Sequence, residues 1–189
     1  MFYIQKAPKP SPALTQKRQR DTLAQIEAIV KEYHAAMPDI VGEEVMGFHK
    51  IRWSNRTHFF AAFDYDVQYT KDLVLSKVLL GIHPDDRELL RTLVAHELLH
   101  TIPDCQNHKK KWKACAEKVN RAWGMKIGRG DMDGILDKLM IDKIPVPFWK
   151  IVCRNCGAAY YACVLPQCAT DCGVCGGLDY DALGTYNAY

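Results

Sequence analysis

Six of the eight cysteines fall within the last 37 residues, and four of them are spaced Cys153-x2-Cys156-x15-Cys172-x2-Cys175. Two CxxC turns at that separation form the pattern of a zinc ribbon, in which each turn brings two thiolates onto one ion. Glycine follows the second cysteine of each pair, at Gly157 and Gly176, where a backbone able to take positive φ suits the knuckle. Four thiolates complete the coordination of Zn²⁺, so a structural site is expected, the metal standing in for a core that so small a module cannot build. Cys163 and Cys168 read as spare thiols, with replacement of one of the four ligands as the rival reading. Cys105 and Cys115 read as structural. The opening MFYIQKAPKPSP has no apolar stretch followed by a small-residue cleavage site. A reducing, cytoplasmic setting is therefore expected, in which disulfides are rare.

The second constraint is His96-Glu97-Leu98-Leu99-His100. Residues four apart share one face of a helix, so both imidazoles can reach the same ion. Glu97 is turned by about 100° from His96, which lets it approach a metal-held water without being a ligand. Two histidines and a carboxylate base in this arrangement are the equipment of a zinc peptidase. A catalytic zinc needs three protein ligands and one open position. Asp104, Glu117 and His108 are the candidates for the third, and His108 is favoured, because the turn TIPDCQN can fold the chain back onto the site. The alternative for His108 is a helix-start residue with no metal. The glycine-containing HExxHxxGxxH spacing is absent.

Around these motifs the period of the apolar residues changes twice. Leu23, Ile26, Ile29, Val30, Tyr33 and Met37 recur at helical spacing, predicting an amphipathic helix from about residue 14 to Met37, with Pro38 as its stop. Phe63, Tyr65, Val67 and Tyr69 alternate with polar residues as in a half-buried strand. With Ile51 and Trp53 before it and LVLSKVLL at 73–80 after it, this predicts a three-stranded antiparallel sheet. A second helix is expected from Asp85, capped by Asp85 and Glu88 and ended by Pro103, and a third over about 108–123. One more short helix is expected over 130–143. The order of elements predicts an α+β fold, with helices on a small antiparallel sheet. Residues 1–12 read as a flexible lead-in, 13–148 as the main domain, 149–180 as the ribbon and 181–189 as a tail.

The HELLH helix, the strand IRWSNR at 51–56, the region FFAAF, the run LVLSKVLL leading to VAHELLHT, and NHKKKWKACAEKVNR at 107–121 together resemble the SprT-like metallopeptidases, relatives of the DNA-dependent protease Spartan. The terminal ribbon also resembles that of bacterial members. One departure is NHKKKW, where the family often has glycine directly after the histidine. The resemblance implies a zincin-like HExxH core, catalytic-zinc ligands at His96, His100 and His108, and the base role at Glu97. It implies an endopeptidase that hydrolyses peptide bonds with a Glu-activated, zinc-bound water, with DNA-associated proteins as a substrate class. Two zinc ions per chain are then expected, one catalytic and one structural. The alternative from another class is a non-catalytic, zinc-stabilised DNA-binding or adaptor protein.

Overall charge is only +3, but residues 108–130 hold eight Lys and Arg against the single acid Glu117. Lys109, Lys110, Lys113 and Arg121 are candidate phosphate contacts, with Trp112 or Trp123 available to stack on unpaired bases. A solvated helix face with both tryptophans in the core is the competing reading. No apolar run approaches the roughly 20 residues of a membrane span, so no membrane partner is expected. The expected partners are a protein substrate and DNA.

Overall fold

Helix α1 (Pro12–Val41) starts where Ser11 Oγ accepts the Leu14 N–H at 3.2 Å and Pro12 occupies the first turn. The computed structural model describes residues 2–56, 61–65, 71–83, 85–129, 136, 138–165 and 171–185. Ile26, Ile29, Tyr33, Met37 and Val41 form the buried stripe of α1, the helical period expected for this segment. The helix passes Pro38 and ends one turn later, which corrects the predicted stop. Within the last turn a proline removes one backbone donor while the remaining bonds stand. Gly42, at φ 72°, closes the helix with its N–H on Pro38 O at 2.8 Å.

Strands β2 (Lys50–Ser54), β3 (Ala61–Tyr65) and β4 (Lys71–Ser76) form a sheet of order β2-β4-β3. β3 runs antiparallel to β4, but β2 runs parallel to it, so the sheet is mixed rather than antiparallel. The reason lies in β4. Leu73, Val74 and Leu75 are all buried, and a strand apolar on both faces belongs in the middle of a sheet. Arg52 Nε ties the β2–β4 pair by donating to Asp72 Oδ2 at 3.1 Å. The 73–80 run is not one strand. Ser76 Oγ donates to Arg56 O at 2.7 Å and accepts the Val78 N–H at 3.2 Å, and Lys77–Gly81 then curls into a 3-10 turn. Val67 and Tyr69 of the predicted strand lie outside the described residues.

Helix α2 (Arg87–Leu99) begins two residues after the expected start, with Asp86 rather than Asp85 at its cap position and no side-chain cap bond. The Asp86 carboxylate instead accepts from Lys138 Nζ at 2.8 Å. α2 ends before Pro103, at Leu99, where Thr101 Oγ1 donates to Leu98 O at 2.8 Å. Helix α3 (Lys110–Trp123) buries Trp112, Cys115, Ala116 and Val119 and leaves its other faces charged. The three helices and β4 enclose the main core, which the segment 139–148 completes. Of the helix expected over 130–143, Leu136 is helical, Leu139 bridges to Ile82 and Ile141–Lys143 forms a 3-10 turn; residues 130–135 and 137 lie outside the described ones. Among the described residues no helix is long and apolar enough to cross a membrane.

The ribbon is larger than expected. β5 (Trp149–Cys153), β6 (Ala159–Ala162) and β7 (Tyr180–Gly184) are joined by β1 (Phe2–Lys6), giving the order β1-β7-β5-β6. β1 pairs parallel with β7, Phe2 opposite Tyr180 and Lys6 opposite Gly184. Residues 2–6 and 181–184 are therefore strands, not a flexible lead-in and a tail. The ribbon has its own small core of Trp149, Ile151, Cys153, Cys172, Tyr180 and Ala182. Thr185, fully buried, joins it to the main body: its Oγ1 donates to Val146 O at 2.8 Å and accepts the Phe148 N–H at 3.2 Å.

Next to that joint, a Cβ on Gly184 would stand 2.4 to 2.7 Å from the Trp149 ring, and Trp149 is itself fully buried. Gly184→Ala is therefore expected to cost on the order of 1–3 kcal/mol by overpacking, read as a lowered urea midpoint. An unchanged midpoint would mean that the ring yields freely.

Candidate metal centres

At the C-terminal end of α2 three imidazoles converge. His96 lies in the last turn and His100 is the helix cap, still in helical conformation at φ −69°, ψ −16°. Their Nε2 atoms are 3.3 Å apart, and His108 Nε2 is 3.0 Å from His96 Nε2. Two nitrogens at about 2.0–2.1 Å from one tetrahedral zinc stand about 3.3–3.4 Å apart. The spacing of the three rings therefore fits one shared ion, and the set could hold a metal. Without an ion, the His96 and His100 Nε2 atoms face each other lone pair to lone pair once both Nδ1–H groups are donated to carbonyls, and an Nε2–H on His108 can relieve the approach to His96 alone.

Backbone carbonyls set the direction of two of the rings. His96 Nδ1 meets Gly128 O at 3.1 Å and His100 Nδ1 meets Cys105 O at 2.8 Å. With Nδ1–H donating to each carbonyl, both Nε2 lone pairs face the common centre. The turn that brings His108 back is pinned from inside by Ile102 and Cys105, both fully buried. Asp104 takes φ 64° at its tip, and Asn107 Oδ1 accepts the Lys109 N–H at 3.2 Å where α3 begins. Asp104 and Glu117, the other candidate ligands, are both exposed, and neither belongs to the cluster.

Glu97 stands between the two α2 histidines in sequence and is 5% exposed. Burial, helped by the charges that His100 and His108 would carry, pushes His96 down to about 3, and burial also lowers His100. His108 is lowered by burial and by neighbouring His100 and Arg129. Depressed values keep the imidazoles neutral, the form in which they bind metal.

The four cysteines of the ribbon also come together. Cys153 Sγ and Cys175 Sγ are 3.7 Å apart, as are Cys156 Sγ and Cys172 Sγ. Thiolates at about 2.3 Å from one tetrahedral ion stand about 3.8 Å apart, whereas a disulfide needs about 2.0 Å. The cysteines are free and could hold a metal. Gly157 and Gly176 take φ 76° and 73° as the knuckles require. Tyr160 Oη at 2.9 Å from Cys172 Sγ, and Asn155 Nδ2 donating to Cys175 Sγ at 3.4 Å, are positioned to steady thiolate charge. Cys163 lies outside the cluster, Cys105 and Cys115 are buried in the main core, and Cys168 lies outside the described residues.

Lys109, Lys110, Lys113 and Arg121 are all exposed on or just before α3. Trp112 is buried away from unpaired bases, and Trp123, partly exposed, already has a ring partner. Trp112 is 2% exposed, and Trp123 stacks on Tyr33 with ring centroids 4.2 Å apart. Four contributors escape a reading of sequence: the Gly128 and Cys105 carbonyls, Tyr160 and Asn155. A carbonyl carries no residue signature, so only the fold reveals it. Compared with protein-family models, curated proteins and solved structures, the chain matches none.

The unfolded chain takes up protons on histidine below about 6.5 while the folded, metal-free chain keeps His96 neutral to about 3. Stability is thus retained above the higher value and falls as the pH drops between the two. Urea midpoints of chelated protein are expected to fall from about pH 7 to about pH 5, less steeply in His96→Asn; equal slopes would contradict a buried neutral imidazole. At the ribbon, Cys172→Ser is expected to remove one ion per chain and to loosen the four-stranded sheet first, measured by metal analysis and amide exchange. Retention of wild-type metal content would exclude this thiol as a ligand.

Proposed function

We propose that this chain is a SprT-like zinc metallopeptidase with a zincin-like HExxH core, an endopeptidase whose base is Glu97. The observation that carries the proposal is the convergence of the His96, His100 and His108 Nε2 atoms beside a buried glutamate on the same helix. A site meant only to brace the fold has no use for that carboxylate. Family membership rests on the order of parts: a long helix, a small sheet, the HELLH helix, a third histidine just ahead of a basic helix, and a ribbon.

Three neutral nitrogens suit zinc, as do four thiolates. An ion on the histidines supplies a Lewis acid and a water acidified to near neutrality. His96, His100 and His108 would hold such an ion with three ligands, a number that would leave room for a water or a substrate carbonyl. Glu97 takes the proton from the attacking water and delivers it to the leaving amine, a general-base then general-acid role. The exposed lysines of α3 favour DNA-associated proteins as substrates, since phosphates would gather at the helix that His108 just precedes.

The test compares wild type with Glu97→Gln on DNA-binding and unrelated proteins, with and without single-stranded DNA. Glu97→Gln is expected to keep both ions and the fold while losing at least about a hundredfold in cleavage. Cleavage that survives the substitution would remove Glu97 from the mechanism. Absence of cleavage in both forms, with two ions bound, would favour a non-catalytic binding protein.

A further inference from the structure

The three histidines are not held in the same way. His96 and His100 each have an Nδ1 bond to a backbone carbonyl, at Gly128 and Cys105. His108 makes no such bond among the described residues; its one hydrogen-bond-range contact is Nε2 to Nε2 of His96. Lying on a turn ahead of α3 rather than on a helix, it is also the histidine with the least backbone restraint. Something else must fix its ring, because a free χ1 and χ2 would let it leave the site, and ordering a side chain costs about 1 kcal/mol or more.

What His108 meets is Trp112, four residues further on and 2% exposed. The two rings lie edge to face, centroids 4.6 Å apart and planes at 78°. The same indole touches the other two: it stacks on His100 at 5.7 Å and 25°, and meets His96 at 4.9 Å and 61°. Aromatic pairs at such distances are worth about 0.5–1.5 kcal/mol each beyond their burial. A single side chain, itself unable to move in the core, thus borders every imidazole of the cluster. Its Nε1 has no protein acceptor among the described residues, so the ring is not held there for a hydrogen bond to the fold.

We propose that Trp112 is a positioning residue for the histidine site, doing for His108 through ring packing what the Gly128 and Cys105 carbonyls do for His96 and His100. The inference rests on the reading that these histidines hold a metal. Trp112 sets the imidazole planes before the ion arrives, so that little side-chain entropy remains to be lost on binding. A residue serving only as core filling would affect the stability of the whole chain and leave the character of the metal site alone.

The test uses the full chain, with Zn²⁺ affinity at the histidines measured by chelator competition and Co²⁺ absorption reporting ligand geometry. Trp112→Leu is expected to weaken the histidine site by about ten- to a hundredfold and to shift its Co²⁺ spectrum, while the cysteine site keeps its affinity as an internal reference. Trp112→Phe, which keeps a ring against His108, is expected to recover most of that loss. In metal-free wild type, the His108 ring protons are expected at ring-current-shifted positions. Wild-type affinity and spectrum in the Leu variant would overturn the role of Trp112 alone. Should that variant not fold, unshifted His108 protons in the wild type, or a Phe variant as weak as a histidine-ligand deletion, would overturn it equally. A wild-type chain that takes up one ion only, at the cysteines, would overturn the metal reading and the role of Trp112 with it.

Discussion

Nitrogen atoms 3.0 and 3.3 Å apart on three separate imidazoles are a condition the rest of the main domain has to satisfy. Lone pairs do not seek one another, so the approach must be enforced by structure on every side. α2 supplies two of the rings at helical spacing, its cap keeps His100 in register, and the pinned turn at Ile102 and Cys105 sends His108 back. α1 and β4 in turn give α2 a rigid bed, since their buried stripes meet in the same core. The fold can be understood as a frame that brings three like groups to a spacing at which they could hold a cation.

The two centres solve this problem differently. In the ribbon the ligands are anionic when they bind, sit at turns, and are flanked by donors from Tyr160 and Asn155. Two of the four thiols, Cys156 and Cys175, stand exposed, so an ion held there would meet an accessible site and could organise it. In the main domain the three imidazoles are neutral and partly enclosed, and burial together with neighbouring positive charge works against their protonation. A site shaped before its ion suits chemistry; a site shaped by its ion suits architecture.

What could be seen in the sequence divides along the same line. His96, Glu97 and His100 were placed by a five-residue string because helix periodicity alone decides which side chains share a face. The CxxC pairs are equally local. His108 stood as one choice among three, since the fold of the seven-residue turn TIPDCQN depends on Ile102 and Cys105 finding the core. The pairing of β2 with β4 was hidden for another reason: alternation tells which face of a strand is buried but not which strand lies beside it. β1 gave the weakest signal of all. Its five residues precede the prolines that made the segment look irregular, and its partner is nowhere near it in the chain.

That last pairing has a consequence for the order of assembly. Phe2 and Tyr180 are register partners yet lie far apart along the chain, and at about 5–20 residues per second the wait between them is roughly ten to forty seconds. Throughout that interval the main domain can close around α2 while the first strand has nothing to bind. The four-stranded sheet can therefore close only once Tyr180–Gly184 has been made, after every segment of the main core. Until then β1 is an edge strand without the neighbour it pairs with, even where the main core has already closed.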